Sequence, residues 1–148
     1  MKKGAITLAI FLSALLFSSG GAYACQCKPA DVDAMKASYD EADFIVLAEP
    51  VLFSKGWGGI GPTVTLRIKD MYKGDKKLSK EIVTQYNPSL AACGLSLKED
   101  KNYILGIYDI YALGEEEVQI GGYRLMHSCA QNNIFKFLMN DQTKKEDE

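Results

Sequence analysis

The sequence predicts a mainly β domain: a small, OB-fold-like closed β-barrel of about five strands, with one N-terminal and one C-terminal helix. Three observations lead there. Short β-rich runs separated by turn residues fill the stretch from Ala42 to Met126. Helical spacing is confined to the two ends, in "ADVDAMKASYDEAD" and "AQNNIFKFLMNDQ". Closing the sheet leaves no long exposed edge, which suits an exported monomer. A flattened sandwich fits the same string of strands.

Ahead of the barrel, Lys2 and Lys3 precede the uncharged apolar run "AITLAIFLSALLF", from Ala5 to Phe17. The run is too short to span a bilayer and has the charge-then-apolar order of a signal peptide. In the following "SSGGAYA", Ala22 and Ala24 flank Tyr23 in the small-x-small pattern of a cleavage site. Residues 1–24 therefore read as a leader, and cutting after Ala24 makes Cys25 the first residue of the mature chain. A lipoprotein cut before Cys25 is the rival. Its signal usually wants a leucine-like residue and a small residue where this chain has Ala22 and Tyr23. No later apolar run is long enough to cross a bilayer, so no membrane contact is expected unless Cys25 is lipidated.

The domain runs from residue 25 to 140. After Pro29, Val32, Met35 and Tyr39 fall near helical spacing, with Asp31 as the cap. The run Ala42 to Phe53 is the first strand, with Pro50 marking a bend or an edge. The glycine-rich "SKGWGGIGPT" is a loop, too irregular for a phosphate cradle. In "TVTLRIKDMYKG", Val64, Leu66, Ile68 and Met71 or Tyr72 alternate with Thr65, Arg67 and Lys69. "KEIVTQY" is the third strand and "KNYILGIYDIYAL" the fourth. "EEEVQIGGYRLM" is the fifth, broken near Gly121 and Gly122. The last helix carries Ile134, Phe135, Leu138 and Met139 on one face. Residues 141–148 read as a charged, solvated tail.

The formal net charge is −2, with no long basic stretch, which argues against nucleic acid as a partner. All four cysteines, Cys25, Cys27, Cys93 and Cys129, follow the leader. An even count in an exported chain reads as two disulfides. A bond between Cys25 and Cys27 would close a very small, strained ring, so both early cysteines reach distant partners. A four-cysteine zinc site is the alternative, although the usual C-x2-C spacing is absent.

Four segments carry a family resemblance. These are the mature start "CQCKP", the stretch "YDEADFIVLAEPV", the run "AACGLSLKEDKNYILGI", and "SCAQNNIFKFL". Together they resemble the netrin-like (NTR) domain family, in particular the tissue inhibitors of metalloproteinases. The likeness covers nearly all of Cys25 to Leu138. It implies an OB-type barrel with Cys25 paired to Cys93 and Cys27 to Cys129. Animal members carry a third disulfide in this domain and a second cysteine-rich domain, and this sequence has neither.

The resemblance further implies an inhibitory ridge made of Cys25, Gln26, Cys27, Lys28 and Pro29, flanked by Ser89, Leu90, Ala91, Ala92 and Cys93. In an extended strand Cys25 and Cys27 point one way and Gln26 the other. The α-amino nitrogen and carbonyl oxygen of Cys25 would chelate the catalytic zinc of a target metalloendopeptidase, with Gln26 in the pocket beside the metal. The zinc belongs to the target, so the chain needs no cofactor of its own. The alternative is a non-inhibitory netrin-like binding or structural module of the cell envelope or extracellular space.

Other residues read more plainly. A lone imidazole makes no metal site, so His127 is a packed or surface histidine. Glu115 to Glu117 form a solvated turn, with calcium binding a distant second. Trp57 is either a partner-binding tip or a lid on the barrel. Ser54, Ser89 and Ser128 lack the glycine elbow of a nucleophile, and no enzyme is expected. Proline blocks the glycosylation sequon at Asn87-Pro88-Ser89.

Overall fold

The computed structural model describes residues 25–56, 61–74, 78–110 and 122–146. Helix α1 spans Val32–Glu41 and is followed by strands β1 (Phe44–Ser54), β2 (Thr63–Lys73) and β3 (Glu81–Gln85). A 3-10 turn at Leu90–Ala92 precedes β4 (Tyr103–Asp109), β5 (Tyr123–Leu125) and helix α2 (Ser128–Glu146). The strands close a barrel in the order β1-β2-β3-β5-β4. Every neighbouring pair is antiparallel except β3 and β5, which run parallel. This is the OB-fold-like barrel with flanking helices that the strand pattern predicts.

Period-2 alternation explains the two cores. Phe44, Val46, Ala48, Val64, Leu66, Ile82, Leu105, Ile107 and Leu125 turn inward and fill the barrel. Ile45, on the opposite face of β1, packs with Ala42, Met126, Ala130 and Ile134 under the helices. Both faces of this part of β1 are therefore covered, which is why "FIV" is apolar without a break. The β1–β2 register shifts between Leu47 and Ala48, so Met71 and not Tyr72 continues the inward row; Tyr72 is 41% exposed. Pro50 is buried beyond the end of the β4 ladder, where β1 has only β2 beside it. There its missing N–H leaves no rung unmade.

Asp31 caps α1 through its Oδ1, which accepts from the Ala34 amide at 2.8 Å. At the other end of α1, Lys73 Nζ donates to the carbonyls of Tyr39 (2.8 Å), Asp40 (2.8 Å) and Ala42 (2.6 Å). A cation on these orphan carbonyls complements the helix dipole and ties α1 to the end of β2. The helices pack on each other through Tyr39 and Phe137, with ring centroids 4.8 Å apart, and through Asn133 Nδ2, which donates to Ser38 Oγ at 3.1 Å.

Several expectations need correction. Val32 is 63% exposed and takes no part in the helix seam. On α2, Ile134 is buried and Leu138 packs beside it, but Phe135 (47%) and Met139 (51%) face outward. The apolar face instead runs through Ala130, Ile134 and Leu138, which pack with Ala42, Ile45 and Met126. The carboxy-terminal region also differs: α2 continues through Glu146, so residues 141–146 are helical. Of the predicted fifth strand, Tyr123–Leu125 is β5, while Glu115 to Gly121 lie outside the described residues.

Gln131, buried at the α2–β4 seam, bonds three backbone groups. Its Nε2 donates to the carbonyls of Gly106 (2.8 Å) and Met126 (3.1 Å), and its Oε1 accepts from the Gly106 amide at 2.6 Å. A Cβ at Gly106 would stand 2.5 Å from Ile134 Cδ1 and 2.7 Å from Met126 Sδ, so glycine lets the helix lie directly on the strand. Replacing Gln131 by leucine strands the buried Gly106 N–H. The expected loss is about 1–3 kcal/mol of unfolding free energy in urea titration. A change within about 0.5 kcal/mol, the range of an inert substitution, would contradict this role.

Burial, reinforced by a hydrogen bond to Glu41 and the charges of Glu41 and Asp43, pushes the Tyr108 hydroxyl up to about 12. Burial also raises Tyr86 and Tyr123. The folded state thus holds protons that an unfolded tyrosine, with a pKa near 10, gives up. Stability is unaffected below about pH 10 and falls as pH climbs from about 10 to 12. Urea midpoints measured across that range should decline, and Tyr108→Phe should flatten the decline.

Candidate functional site

The predicted ridge lies at the barrel end where β3 and β5 finish and β2 begins. Residues 25–31 have no regular secondary structure and cannot hold a shape by backbone pairing alone. Two bridges hold them. Cys25 is bonded to Cys93 with Cα atoms 5.0 Å apart, and Cys27 to Cys129 with Cα atoms 5.3 Å apart. These are the pairs the family resemblance implies. Every cysteine is in a disulfide, so the thiolates that a four-cysteine zinc site needs are absent. With sequence separations of 68 and 102, each bridge contributes about 4–5 kcal/mol through the entropy of the unfolded chain.

Cys25 is half-buried, whereas Gln26, Cys27, Lys28 and Pro29 are exposed. The sulfurs of both bridges gather on one side: Cys25 Sγ lies 3.8 Å from Cys129 Sγ. On the far side of Cys93, Ser89, Leu90, Ala91 and Ala92 are all exposed, and Leu90 is 61% open to solvent. The Cys25–Cys93 bond therefore links two segments whose other residues, Gln26 to Pro29 and Ser89 to Ala92, are exposed.

The flanking loop is stiff for a reason the sequence carries. Asn87 Oδ1 accepts from the Ser89 amide at 2.9 Å, an Asx turn, while its Nδ2 donates to the Ala92 carbonyl at 3.1 Å. Backbone bonds from the amides of Ala92 (3.0 Å) and Gly94 (2.8 Å) converge on the Ser89 carbonyl, and the Leu95 amide donates to Asn87 at 2.7 Å. Cys93 closes the turn in the left-handed region (φ 56°), a conformation that costs a non-glycine residue about 1–2 kcal/mol. Its carbonyl accepts from the Ser128 amide at 2.9 Å, which fastens the loop to the start of α2.

His127 is exposed and caps α2: its Nδ1 accepts from the Ala130 amide at 3.3 Å. It also lines a cleft of about 230 Å³ with Tyr86, Asn87, Cys93 and Arg124, directly behind the ridge. Ser54 accepts from the Gly56 amide at the end of β1, and Ser128 opens α2. Trp57 and Glu115 to Glu117 lie outside the described residues.

Sequence reading missed Asn87, Gly94 and the cap made by His127. The "NPS" triplet carried the signal, since asparagine two residues before a serine amide is an Asx-turn pattern. Among the described residues, no helix is long and apolar enough to cross a membrane. No protein-family model matches the chain, and no curated protein matches it.

A Cβ at Gly94 would collide with the carbonyl oxygen of Asn87 and stand 2.6 Å from that of Ser89. Both acceptors are backbone, so the loop itself must shift. Gly94→Ala should cost about 1–3 kcal/mol and speed amide exchange at Ser89, Ala92 and Leu95 with the disulfide pairing unchanged. Unaltered exchange at those amides would overturn the description of a knitted loop.

Proposed function

We propose that the processed chain is an exported inhibitor of zinc metalloendopeptidases, of the kind made by the tissue inhibitors of metalloproteinases it resembles. One observation carries the reading. A segment with no secondary structure of its own, Cys25 to Pro29, exposed from Gln26 onward, is cross-linked at both cysteines, and one bridge joins it to Cys93, next to exposed Ser89 to Ala92. Such rigidity at a surface terminus has little value for the barrel interior. It has large value for binding, because a pre-ordered segment loses less entropy on docking.

The chemistry follows from cleavage after Ala24. The freed α-amino nitrogen and the carbonyl oxygen of Cys25 sit on neighbouring backbone atoms and close a five-membered ring around a metal ion. A catalytic zinc has three protein ligands and one position for water. Chelation takes that position and expels the water that attacks substrate. Gln26 projects into the pocket beside the metal, Lys28 and Pro29 extend the contact, and Ser89 to Cys93 widen it. Small side chains at Ser89, Ala91 and Ala92 allow close approach, and Leu90 supplies the apolar tip. On this reading the protein is a monomer outside the cytoplasm, is not an enzyme, and has no cofactor of its own.

The test compares protein beginning at Cys25 with protein carrying one extra alanine before it. Chelation predicts that the first inhibits a zinc endopeptidase and the second inhibits it far more weakly. Only the deprotonated amine donates, and its usual pKa is about 7.7–8.0, so inhibition should weaken about tenfold per pH unit below that value. Equal potency of the two forms, or no inhibition across a broad panel of zinc proteases, would leave a netrin-like binding module.

A further inference from the structure

The two disulfides are close enough to react with each other. Cys25 Sγ lies 3.8 Å from Cys129 Sγ, which belongs to the other bridge. The sulfurs of Cys25, Cys93 and Cys129 all lie within 4.8 Å of one another. The bridges also differ in access: Cys27 is exposed, while Cys25, Cys93 and Cys129 are half-buried. A thiolate arriving from solvent therefore meets Cys27 first.

Attack at Cys27 expels Cys129, the second residue of α2. A thiolate in the first turn of a helix is stabilised by the positive end of the helix dipole, and a stabilised thiolate leaves faster. Once released, Cys129 starts 3.8 Å from Cys25 Sγ and needs only a turn about its own side-chain bonds to come into line with the Cys25–Cys93 bond.

The geometry points to a thiol-triggered disulfide relay that transfers Cys25 from Cys93 to Cys129. In the first step a small thiolate bonds to Cys27 Sγ, and the electron pair of the Cys27–Cys129 bond leaves on Cys129. In the second, Cys129 bonds to Cys25 Sγ, and the pair of the Cys25–Cys93 bond leaves on Cys93, which takes a proton from water. Each step makes one disulfide and breaks one, so no oxidant is consumed. The products are a Cys25–Cys129 bridge, a mixed disulfide at Cys27 and a free Cys93 thiol.

The relay stands on the sulfur geometry alone; its effect on inhibition rests on the proposed function. Cys25 stays anchored throughout, first to the Cys93 turn and then to α2. The loop from Ser89 to Ala92, however, loses its covalent tie to the amino-terminal segment. A thiol-bearing environment would thus separate the two halves of the ridge without releasing the chelating end.

The oxidised protein is treated with limiting reduced glutathione at about pH 8, trapped with N-ethylmaleimide and mapped by peptide mass spectrometry. The expected major early product has Cys25 joined to Cys129, glutathione on Cys27 and the maleimide on Cys93. A major early product with Cys25–Cys93 intact and the maleimide on Cys129 overturns the relay. The exchange should slow about tenfold per pH unit below the thiol pKa, since the thiolate attacks. In Cys27→Ser, without added thiol, the label should divide between Cys129 and Cys93; label confined to Cys129 after prolonged incubation is the contrary result. Because mapping reads connectivity and not inhibition, a failed relay and a failed inhibitor reading remain distinguishable.

Discussion

Two sulfur–sulfur bonds turn a stretch of chain with no structure of its own into a fixed part of the surface. Residues 25–31 pair with no strand, and four of the first five side chains are exposed. Burial and backbone hydrogen bonding cannot hold such a segment, and it would fray like most termini. The bridges transmit rigidity from two independent sources. Cys93 lies in a turn locked by Asn87 and by the converging bonds on the Ser89 carbonyl. Cys129 lies in the first turn of a helix that Gln131 fastens to the backbone of β4. Loosening either source leaves the segment with one support.

The barrel explains why these sources meet at one end. Antiparallel pairing brings the start of β2 beside the end of β3, and the single parallel pair, β3 with β5, brings both of those strand ends to the same rim. The loop after β3 and the helix after β5 must therefore leave from neighbouring points. The Cys93 carbonyl then accepts directly from the Ser128 amide, and both cysteines of the amino-terminal segment find partners within a few ångströms. At the opposite rim the same economy of contacts appears in Lys73, whose ammonium group serves three carbonyls at the end of α1.

Much of this was legible in the chain, for reasons that differ by element. Asp31 as a cap and the inward row Val64, Leu66 and Ile68 are local signals, set by spacing within one element. The face of α2 was not legible, because Phe135 and Leu138 satisfy helical spacing equally well. Only the contact of Ile134 with the bare backbone at Gly106 decides between them. Val32 misled in the same way: its spacing is helical, yet α1 is short and its first turn overhangs the seam. At the site, the cysteines announced themselves by count and by "CQC". Asn87 was legible too, through the local Asx-turn pattern of "NPS"; Gly94 and Gln131 were not, since each acts by clearing or bonding backbone groups whose positions exist only after folding.

Chelation requires Cys25 to stand first, with its nitrogen unblocked and both bridges closed. Intact mass of the exported protein, with its first residue read directly, tests this in one experiment. The expected molecule begins at Cys25, is lighter than its reduced form by the hydrogens of two disulfides, and bears no acyl group. A first residue anywhere else, or a lipid or other cap on that nitrogen, would contradict it.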